Sequence, residues 1–334
     1  MQKTVSILIP TLNAAKVLGA CLDSIARQVY PKERVEIIVA DGGSTDATLE
    51  IVRRYTDKIY PNPSKTGEAG KAVALKHATG EIVALVDSDN ILPQADWLSR
   101  MVAPFDDQQV VGAEPLEYTY RPTDGMITRY CALMGMNDPL CLFLGNYDRY
   151  NAITGKWTEM PVKAEDKGDY LEVQLSERGL PTIGANGFLV RREALLACSV
   201  DQYVFDIDIV YELVTRGKNK FAKVKIGIVH IFSGVVTTFI RKQRRRIKDY
   251  RHYQHLRKYP WGALNKARLI KFISYTLTVF PLLVQMVRGM ARKSDRAWWF
   301  HPVACWITLI VYAVGYVGIL FRPGPADRSS WGQG

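Results

Sequence analysis

The chain has 334 residues, 48% of them hydrophobic, and a formal net charge of +11. That length holds two domains or one domain with an appendage, and the charge points to an anionic partner: a nucleotide, a nucleic acid or an acidic lipid surface. Five cysteines, Cys21, Cys131, Cys141, Cys198 and Cys305, have neither metal-ligand spacing nor an even pairing pattern, which argues against a zinc module or a disulfide scaffold and for thiols in a reducing compartment.

From the N-terminus, Val5 to Ile9 reads as a buried strand halted by Pro10, too short for a signal peptide. Val17, Leu18, Cys21, Leu22 and Ile25 recur at helical spacing across Ala14 to Val29. A second strand, Val35 to Ala40, ends at Asp41-Gly42-Gly43. Ser44 is placed to cap the next helix, which runs to about Tyr55 with Leu49, Ile51 and Val52 on its buried side. A short strand near Lys58 to Tyr60, a helix across Lys71 to Ala78 and a strand over Ile82 to Val86 follow. This alternation predicts an α/β fold, a parallel sheet with helices on both faces. Ligands of such sheets bind outside the carboxyl ends of the strands, where Pro10-Thr11, Asp41 and Asp87-Ser88-Asp89 all fall. In an extended chain residues i and i+2 point the same way, so Asp87 and Asp89 could offer oxygen donors to Mg²⁺ or Mn²⁺. A solvated turn at a strand end is the other reading of that pair.

The stretch from 91 to 234 is mixed. Its notable segments are Gly184-Ala185-Asn186-Gly187 and Phe205-Asp206-Ile207-Asp208-Ile209, which leads to Gly217. Beyond it, Arg241 to Arg251 is dense in Lys and Arg. Two apolar segments follow, Phe272 to Val287 and Trp298 to Phe321. The second, 24 residues, would be about 36 Å long as a helix and can span a bilayer core, with Trp298-Trp299 suited to an interfacial belt. The first, 16 residues with Pro281 inside, spans only if Lys271 and Arg288 snorkel or the bilayer thins. A two-helix hairpin would put Arg288, Arg292, Lys293 and Arg296 outside, against the positive-inside tendency, whereas a single span keeps them inside. Buried core helices would account for either segment without a membrane.

Together, Val5-Ser6-Ile7-Leu8-Ile9-Pro10-Thr11-Leu12-Asn13, Asp41-Gly42-Gly43-Ser44-Thr45-Asp46-Ala47-Thr48 and Asp87-Ser88-Asp89 resemble a family 2 glycosyltransferase of GT-A fold, over about residues 4 to 250. The basic helix and apolar tail resemble a reduced cellulose-synthase arrangement. More narrowly, the whole resembles archaeal membrane-bound mannosyltransferases that use GDP-mannose. The resemblance implies a GT-A nucleotide-sugar-binding fold with a mixed, mostly parallel sheet, followed by interfacial amphipathic helices and transmembrane helices. The expected division is 1–234 catalytic, 235–268 basic interface, 269–321 transmembrane and 322–334 tail.

Roles follow residue by residue from the same resemblance. Pro10, Thr11 and Asn13 would line the nucleotide pocket, and Asp41 would hydrogen-bond the base. Gly42 stands where the family usually has a second acid. Asp87 would contact the ribose or the metal, and Asp89 would bind the metal that bridges the diphosphate, with His230 able to complete that site or serve structurally. Gly67 to Lys71 resembles the loop closing over the nucleotide, its Lys71 either pairing with a phosphate or standing solvated at a helix start. Asp206 takes the position of the catalytic base, with Phe205 where an acid often precedes it. Asp208 is the nearest alternative, Glu165 and Asp166 are distant ones, and both helix-start carboxylates could merely cap. Asn186 and Asp208 are further candidates for the acceptor or diphosphate. Gln243-Arg244-Arg245-Arg246-Ile247 resembles the Gln-x-x-Arg-Trp motif, so Gln243 and Arg246 could contact the acceptor or diphosphate. Ile247 in place of Trp argues against processive synthesis. A basic helix lying on acidic headgroups is the other reading of that stretch.

Other classes fit less well. A nucleic-acid binder would need aromatic residues recurring through Arg241 to Lys248. A dehydrogenase would need Gly-x-Gly-x-x-Gly after the first strand, where Pro10-Thr11-Leu12-Asn13 stands. A sugar-nucleotide pyrophosphorylase would carry a basic Gly-rich N-terminal loop. A non-catalytic membrane scaffold would not depend on Asp206. The expectation is thus an inverting, Mg²⁺- or Mn²⁺-dependent transferase, integral to the cell membrane with its catalytic domain cytoplasmic. It would pass mannose from GDP-mannose, or a hexose from a UDP-sugar, to a lipid-linked acceptor such as a polyprenyl phosphate or lipid-linked oligosaccharide. Anionic lipids are expected partners and nucleic acid is not.

Overall fold

The computed structural model describes residues 2–260 and 266–319. Two compact units divide the chain. The first comprises the residues up to Leu116 together with Pro161–His230; the second comprises Glu117–Met160 and the described residues from Ile231 on. The excursion between 116 and 161 falls in the stretch whose sequence pattern is mixed.

The first unit is organised by one sheet. Its strands are β1 (Val5–Thr11), β2 (Val35–Asp41), β3 (Ile59–Pro61), β4 (Ile82–Leu85), β5 (Asn90–Ile91), β6 (Gly112–Thr119), β7 (Lys163–Asp166), β8 (Tyr170–Gln174), β9 (Phe188–Arg191) and β10 (Lys220–His230). They lie in the order β3-β2-β1-β4-β9-β6-β10-β8-β7, with β5 paired to β10. Strands β3, β2, β1 and β4 are parallel, whereas β4–β9, β6–β9, β10–β8 and β8–β7 are antiparallel. Every residue of β1 and β4 is buried, as expected for parallel strands covered on both faces, and this is why both read as mostly apolar runs, with Ser6 the polar residue inside β1. The parallel register sets Thr11 beside Asp41.

Local signals were overridden at two helices. The helix after β2 is only Thr48–Val52 and has no side-chain cap. Ser44 does not cap it: its hydroxyl donates to Asp41 Oδ1 at 2.5 Å, while Asp46 Oδ1 takes the Thr48 N–H at 3.0 Å. The next helix starts earlier than expected. Thr66 caps Gly67–Leu75 by accepting from Ala69 N, so Gly67 to Lys71 is helical and not a loop. Gly70 on this helix packs so tightly that a Cβ there would sit 2.7 Å from Pro10 Cβ. Only glycine permits that approach.

The second unit is helical. Tyr130, Phe143, Phe232, Phe239, Phe272 and Trp298 share its core, with Phe300 meeting Tyr130 and Phe239 edge-on at 5.4 Å. The basic stretch forms the helix Val236–Tyr253, which buries Phe239 and Gln243. The apolar segment expected over 272–287 is not one helix. Helices Lys266–Thr278 and Phe280–Arg292 meet at a 94° bend, where Val279 has φ +59° and Pro281 removes an N–H that a continuous helix needs. Trp298 lies fully buried and only Trp299 is exposed, so the expected tryptophan pair at an interface is split. Among the described residues, one unbroken stretch, Arg296–Tyr316, is long and apolar enough to cross a membrane; its mean hydropathy is 1.5, and 44% of it is buried within the protein. The expected second segment ends at Phe321, and its last two residues, like the tail 322–334, lie outside the described residues.

Candidate active site

At the carboxyl ends of the parallel strands, the Asp41 carboxylate organises the loop that follows β2. Its Oδ2 accepts from Gly43 N and Ser44 N, both at 2.8 Å. Asn13, with a positive φ that Asn tolerates, ties the neighbouring loop to it: its N–H donates to Ser44 Oγ and its Oδ1 accepts from Thr45 N, each at 2.8 Å. Asn62, just past β3, was not singled out by sequence. Its N–H donates to Asp41 O at 2.7 Å and its Nδ2 to Thr66 O at 2.9 Å. Asn62 Oδ1 and Thr11 Oγ1 are buried with no hydrogen-bond partner among the described residues. Unmet polar atoms of this kind cost about 1–3 kcal/mol each, a cost that a bound polar ligand would relieve.

Asp87 and Asp89 do not lie on an extended strand. β4 ends at Leu85, and Asp87-Ser88-Asp89-Asn90 is a turn closed by Asn90 N to Asp87 O at 2.9 Å and Asp87 N to Asn90 Oδ1 at 3.0 Å. Asn90, fully buried, also donates to Asn186 Oδ1 at 3.0 Å. It is a second residue that sequence reasoning missed, although it directly follows the two carboxylates. The turn sends the carboxylates to different partners. Asp89 Oδ2 lies 3.4 Å from His230 Nε2, because β5 pairs with β10 and sets Asn90 opposite His230. Asp87 Oδ1 lies 3.4 Å from Lys71 Nζ. Among the described residues no three His, Cys, Asp or Glu side chains stand together as a ready metal site. Asp89 and His230 nevertheless bring one oxygen and one nitrogen donor together; the carboxylate suits Mg²⁺ or Mn²⁺, whereas an imidazole is equally at home on other divalent ions.

Lys71 is not a solvated helix-start residue. It sits in the second turn of Gly67–Leu75, 3% exposed, and its Nζ donates to Asp206 Oδ1 at 3.0 Å. Burial opposes the ammonium, but Asp206 and then Asp87 raise its pKa above the usual lysine value. Asp206 opens the helix Asp206–Thr215, where the helix dipole favours a carboxylate. Its side chain keeps 31% of its surface open. Burial is still the strongest influence and raises its pKa; Lys71 pulls down, Asp87 pushes up, and the net result is a carboxyl raised to about 6. Asp208, two residues on, is 4% exposed. Glu165 and Asp166 stand exposed on β7, at the far end of the sheet order from β3, paired with Lys167 and Lys225 respectively.

Gln243 and Arg246 belong to the second unit. Gln243 is fully buried, donating to Asn137 O at 2.9 Å and accepting from Arg246 Nη1 at 2.7 Å and from Tyr312 OH at 3.1 Å. Arg246 also lies 3.4 Å from Asp138. The pair thus pins the basic helix to the apolar helix Phe300–Ile319, which carries Tyr312.

Residues 6–195, more than half of the chain, match the family model described as Glycosyl transferase family 2. Over 93 residues the chain is 42% identical to the poly(ribitol-phosphate) beta-N-acetylglucosaminyltransferase TarS of Staphylococcus aureus, covering 26% of this chain and 16% of TarS. Over 140 residues it is 30% identical to the glycosyltransferase AglE of Haloferax volcanii, covering 40% of this chain and 45% of AglE. The matched stretches therefore span less than half the length of either relative. The solved structure of the mannosyltransferase PcManGT from Pyrobaculum calidifontis, in complex with GDP-Man and Mn²⁺, superposes with a TM-score of 0.51 at 18% identity, covering 94% of this chain and 88% of that one. At that identity the likeness is one of fold.

Proposed function

The chain belongs to glycosyl transferase family 2, and from that premise we propose that it is an inverting hexosyltransferase moving mannose from GDP-mannose to a lipid-linked acceptor at the cytoplasmic face of the cell membrane. The observation that carries this reading is the meeting of Lys71, Asp87 and Asp206, in the same unit as the unsatisfied Thr11 and Asn62 at the parallel strand ends.

In this reading Thr11, Asp41 and Asn62 hold the base, and Asp87 holds the ribose. Asp206 takes the proton from the acceptor hydroxyl as that oxygen bonds to the sugar carbon. The bond from that carbon to the diphosphate oxygen breaks, and its electron pair leaves with the nucleoside diphosphate. Asp206 suits this role because its carboxyl, held near 6, is ionised at neutral pH yet basic enough to accept a proton. Lys71, already charged and within reach of both carboxylates, would turn to the diphosphate. Asp89 and His230 would hold Mg²⁺ or Mn²⁺, which neutralises the leaving diphosphate when bound.

Mannose is favoured by the fold likeness to PcManGT, which was solved with GDP-Man. A membrane acceptor is supported by the apolar stretch Arg296–Tyr316 and by the basic helix Val236–Tyr253, which suits anionic headgroups. With the first apolar segment bent, a single span that keeps Arg288 to Arg296 inside fits the positive-inside tendency better than a hairpin.

The test is a donor screen on membranes with Mg²⁺ or Mn²⁺, following sugar into lipid. Transfer from GDP-mannose supports the reading. Transfer from a UDP-sugar alone replaces the donor, and no transfer from any nucleotide sugar by folded protein sinks it. Asp206→Asn should abolish transfer and leave nucleotide binding intact.

A further inference from the structure

Two charged residues of the first unit stand fully buried inside strands and have no part in the reaction just described. Glu114 on β6 and Lys223 on β10 are each 0% exposed, and Lys223 Nζ lies 2.6 Å from Glu114 Oε2. Replacing such a desolvated pair by apolar residues is often neutral or stabilising, so fold stability alone is a weak reason to keep it. The other carboxylate oxygen shows what the pair holds. Glu114 Oε1 accepts from the backbone N–H of Gly184 at 2.9 Å. Gly184 has φ +123°, and a Cβ there would lie 2.6 Å from the carbonyl oxygen of Asp206 and 2.8 Å from its carbonyl carbon. Its backbone is therefore seated directly on that of Asp206. The same loop carries Asn186, whose Oδ1 accepts from Asn90 beside the metal-site carboxylates.

We infer that Glu114, oriented by Lys223, is a positioning residue for sugar transfer, clamping Gly184 behind Asp206 so that the base carboxylate meets the acceptor hydroxyl. This rests on Asp206 being the base. The carboxylate is the right group for the task. It takes the ammonium on one oxygen and the amide on the other, whereas an apolar side chain of the same size would fill the space and leave the Gly184 amide without its acceptor. Displacing a catalytic group by about 1 Å can cost on the order of a hundredfold in rate, so a clamp two residues removed from the chemistry is able to control turnover.

The experiment compares two double variants in the full-length chain in membranes. Glu114→Leu with Lys223→Met removes charge and acceptor together; Glu114→Gln with Lys223→Met removes the charge but keeps an oxygen for Gly184. The Leu pair is expected to fold, bind nucleoside diphosphate as the wild type does, and turn over between ten and a hundred times more slowly, on the scale a misplaced catalytic group implies. The Gln pair should recover most of that loss. Wild-type kcat in the Leu pair, or a Gln pair no faster than the Leu pair, overturns the inference. If the Leu pair does not fold, Gly184→Ala decides. It should lower kcat with unchanged nucleotide affinity, and a wild-type rate overturns the clamp. Asp206→Asn run alongside separates the two readings. Full activity there sinks the base, whereas its loss together with wild-type turnover in the Leu pair sinks only the clamp.

Discussion

Lys71 and Asp206 lie 135 residues apart in the chain and 3.0 Å apart in the fold. The ammonium favours the ionised carboxylate and so pulls the Asp206 pKa down against burial, with the balance struck at about 6. A base must be ionised to accept a proton, so transfer should rise with pH through an acid limb near 6. Lys71→Met removes the downward pull, and the limb should move to higher pH. A shift of one unit lowers the rate at pH 6 by about fivefold and approaches tenfold at lower pH. The pH profile of kcat/KM for the donor, which reports the free protein, checks this, and a limb that stays in place dissociates Lys71 from the base.

The parallel half of the fold was legible because β1, β4 and the second half of β2 are buried and therefore written in mostly apolar residues, each followed by a polar residue at the crevice. Asp206 was reached only by resemblance, since no local pattern reveals that a lysine from another helix will meet it. Asn62 and Asn90 carry no sequence signal, because turn asparagines are ordinary and their buried contacts are tertiary. Ser44 misled for a related reason. A hydroxyl just before a helix looks like a cap, but the helix begins only at Thr48 and the Ser44 oxygen accepts from Asn13 N instead. In the apolar tail, length and hydropathy were visible, and Pro281 marked the weak point of its first segment without specifying a bend.

Asn62 is expected to read the nucleobase. Its Oδ1 is a buried acceptor with no hydrogen-bond partner among the described residues, and a ring or exocyclic N–H would satisfy it. Asn62→Leu should weaken nucleoside diphosphate binding by about tenfold, the scale of one buried hydrogen bond. Thermal stability should change little, because the lost bond to Thr66 O is offset by removal of an unmet polar atom. Calorimetric titration with GDP and UDP measures the loss. Equal affinity in variant and wild type removes Asn62 from the base pocket.

Gly70→Ala should act on the site through packing. The new methyl would stand 2.7 Å from Pro10 Cβ and 3.0 Å from Asn62 Nδ2, closer than carbon atoms approach. The helix must shift outward, carrying Lys71 away from Asp87 and Asp206. Overpacking of this kind costs about 1–3 kcal/mol, so the melting temperature should fall together with donor affinity. A variant with wild-type stability and donor KM would show that the helix adjusts without moving Lys71.

Glu36 offers a stability test at the opposite end of the strands. It lies near the start of β2, away from the Thr11–Asp41 end, and accepts from Ser6 Oγ and Lys58 Nζ at 2.5 Å and from Thr79 N at 2.7 Å. Burial pushes its carboxyl up, but the donors from Lys58, Ser6 and Thr79 together outweigh it and hold the pKa at about 2. The folded-state value is depressed, so the stabilisation is present above the unfolded glutamate value, near 4.5, and is lost as pH falls from there toward 2. The difference corresponds to roughly 3 kcal/mol at neutral pH. Glu36→Gln should therefore lower stability at pH 7 by up to about that amount and leave nucleotide binding unchanged. Its deficit against wild type should shrink steadily below pH 4.5 in denaturant titrations. A deficit that is the same at pH 7 and pH 3 would mean that shape, and not charge, is what Glu36 contributes.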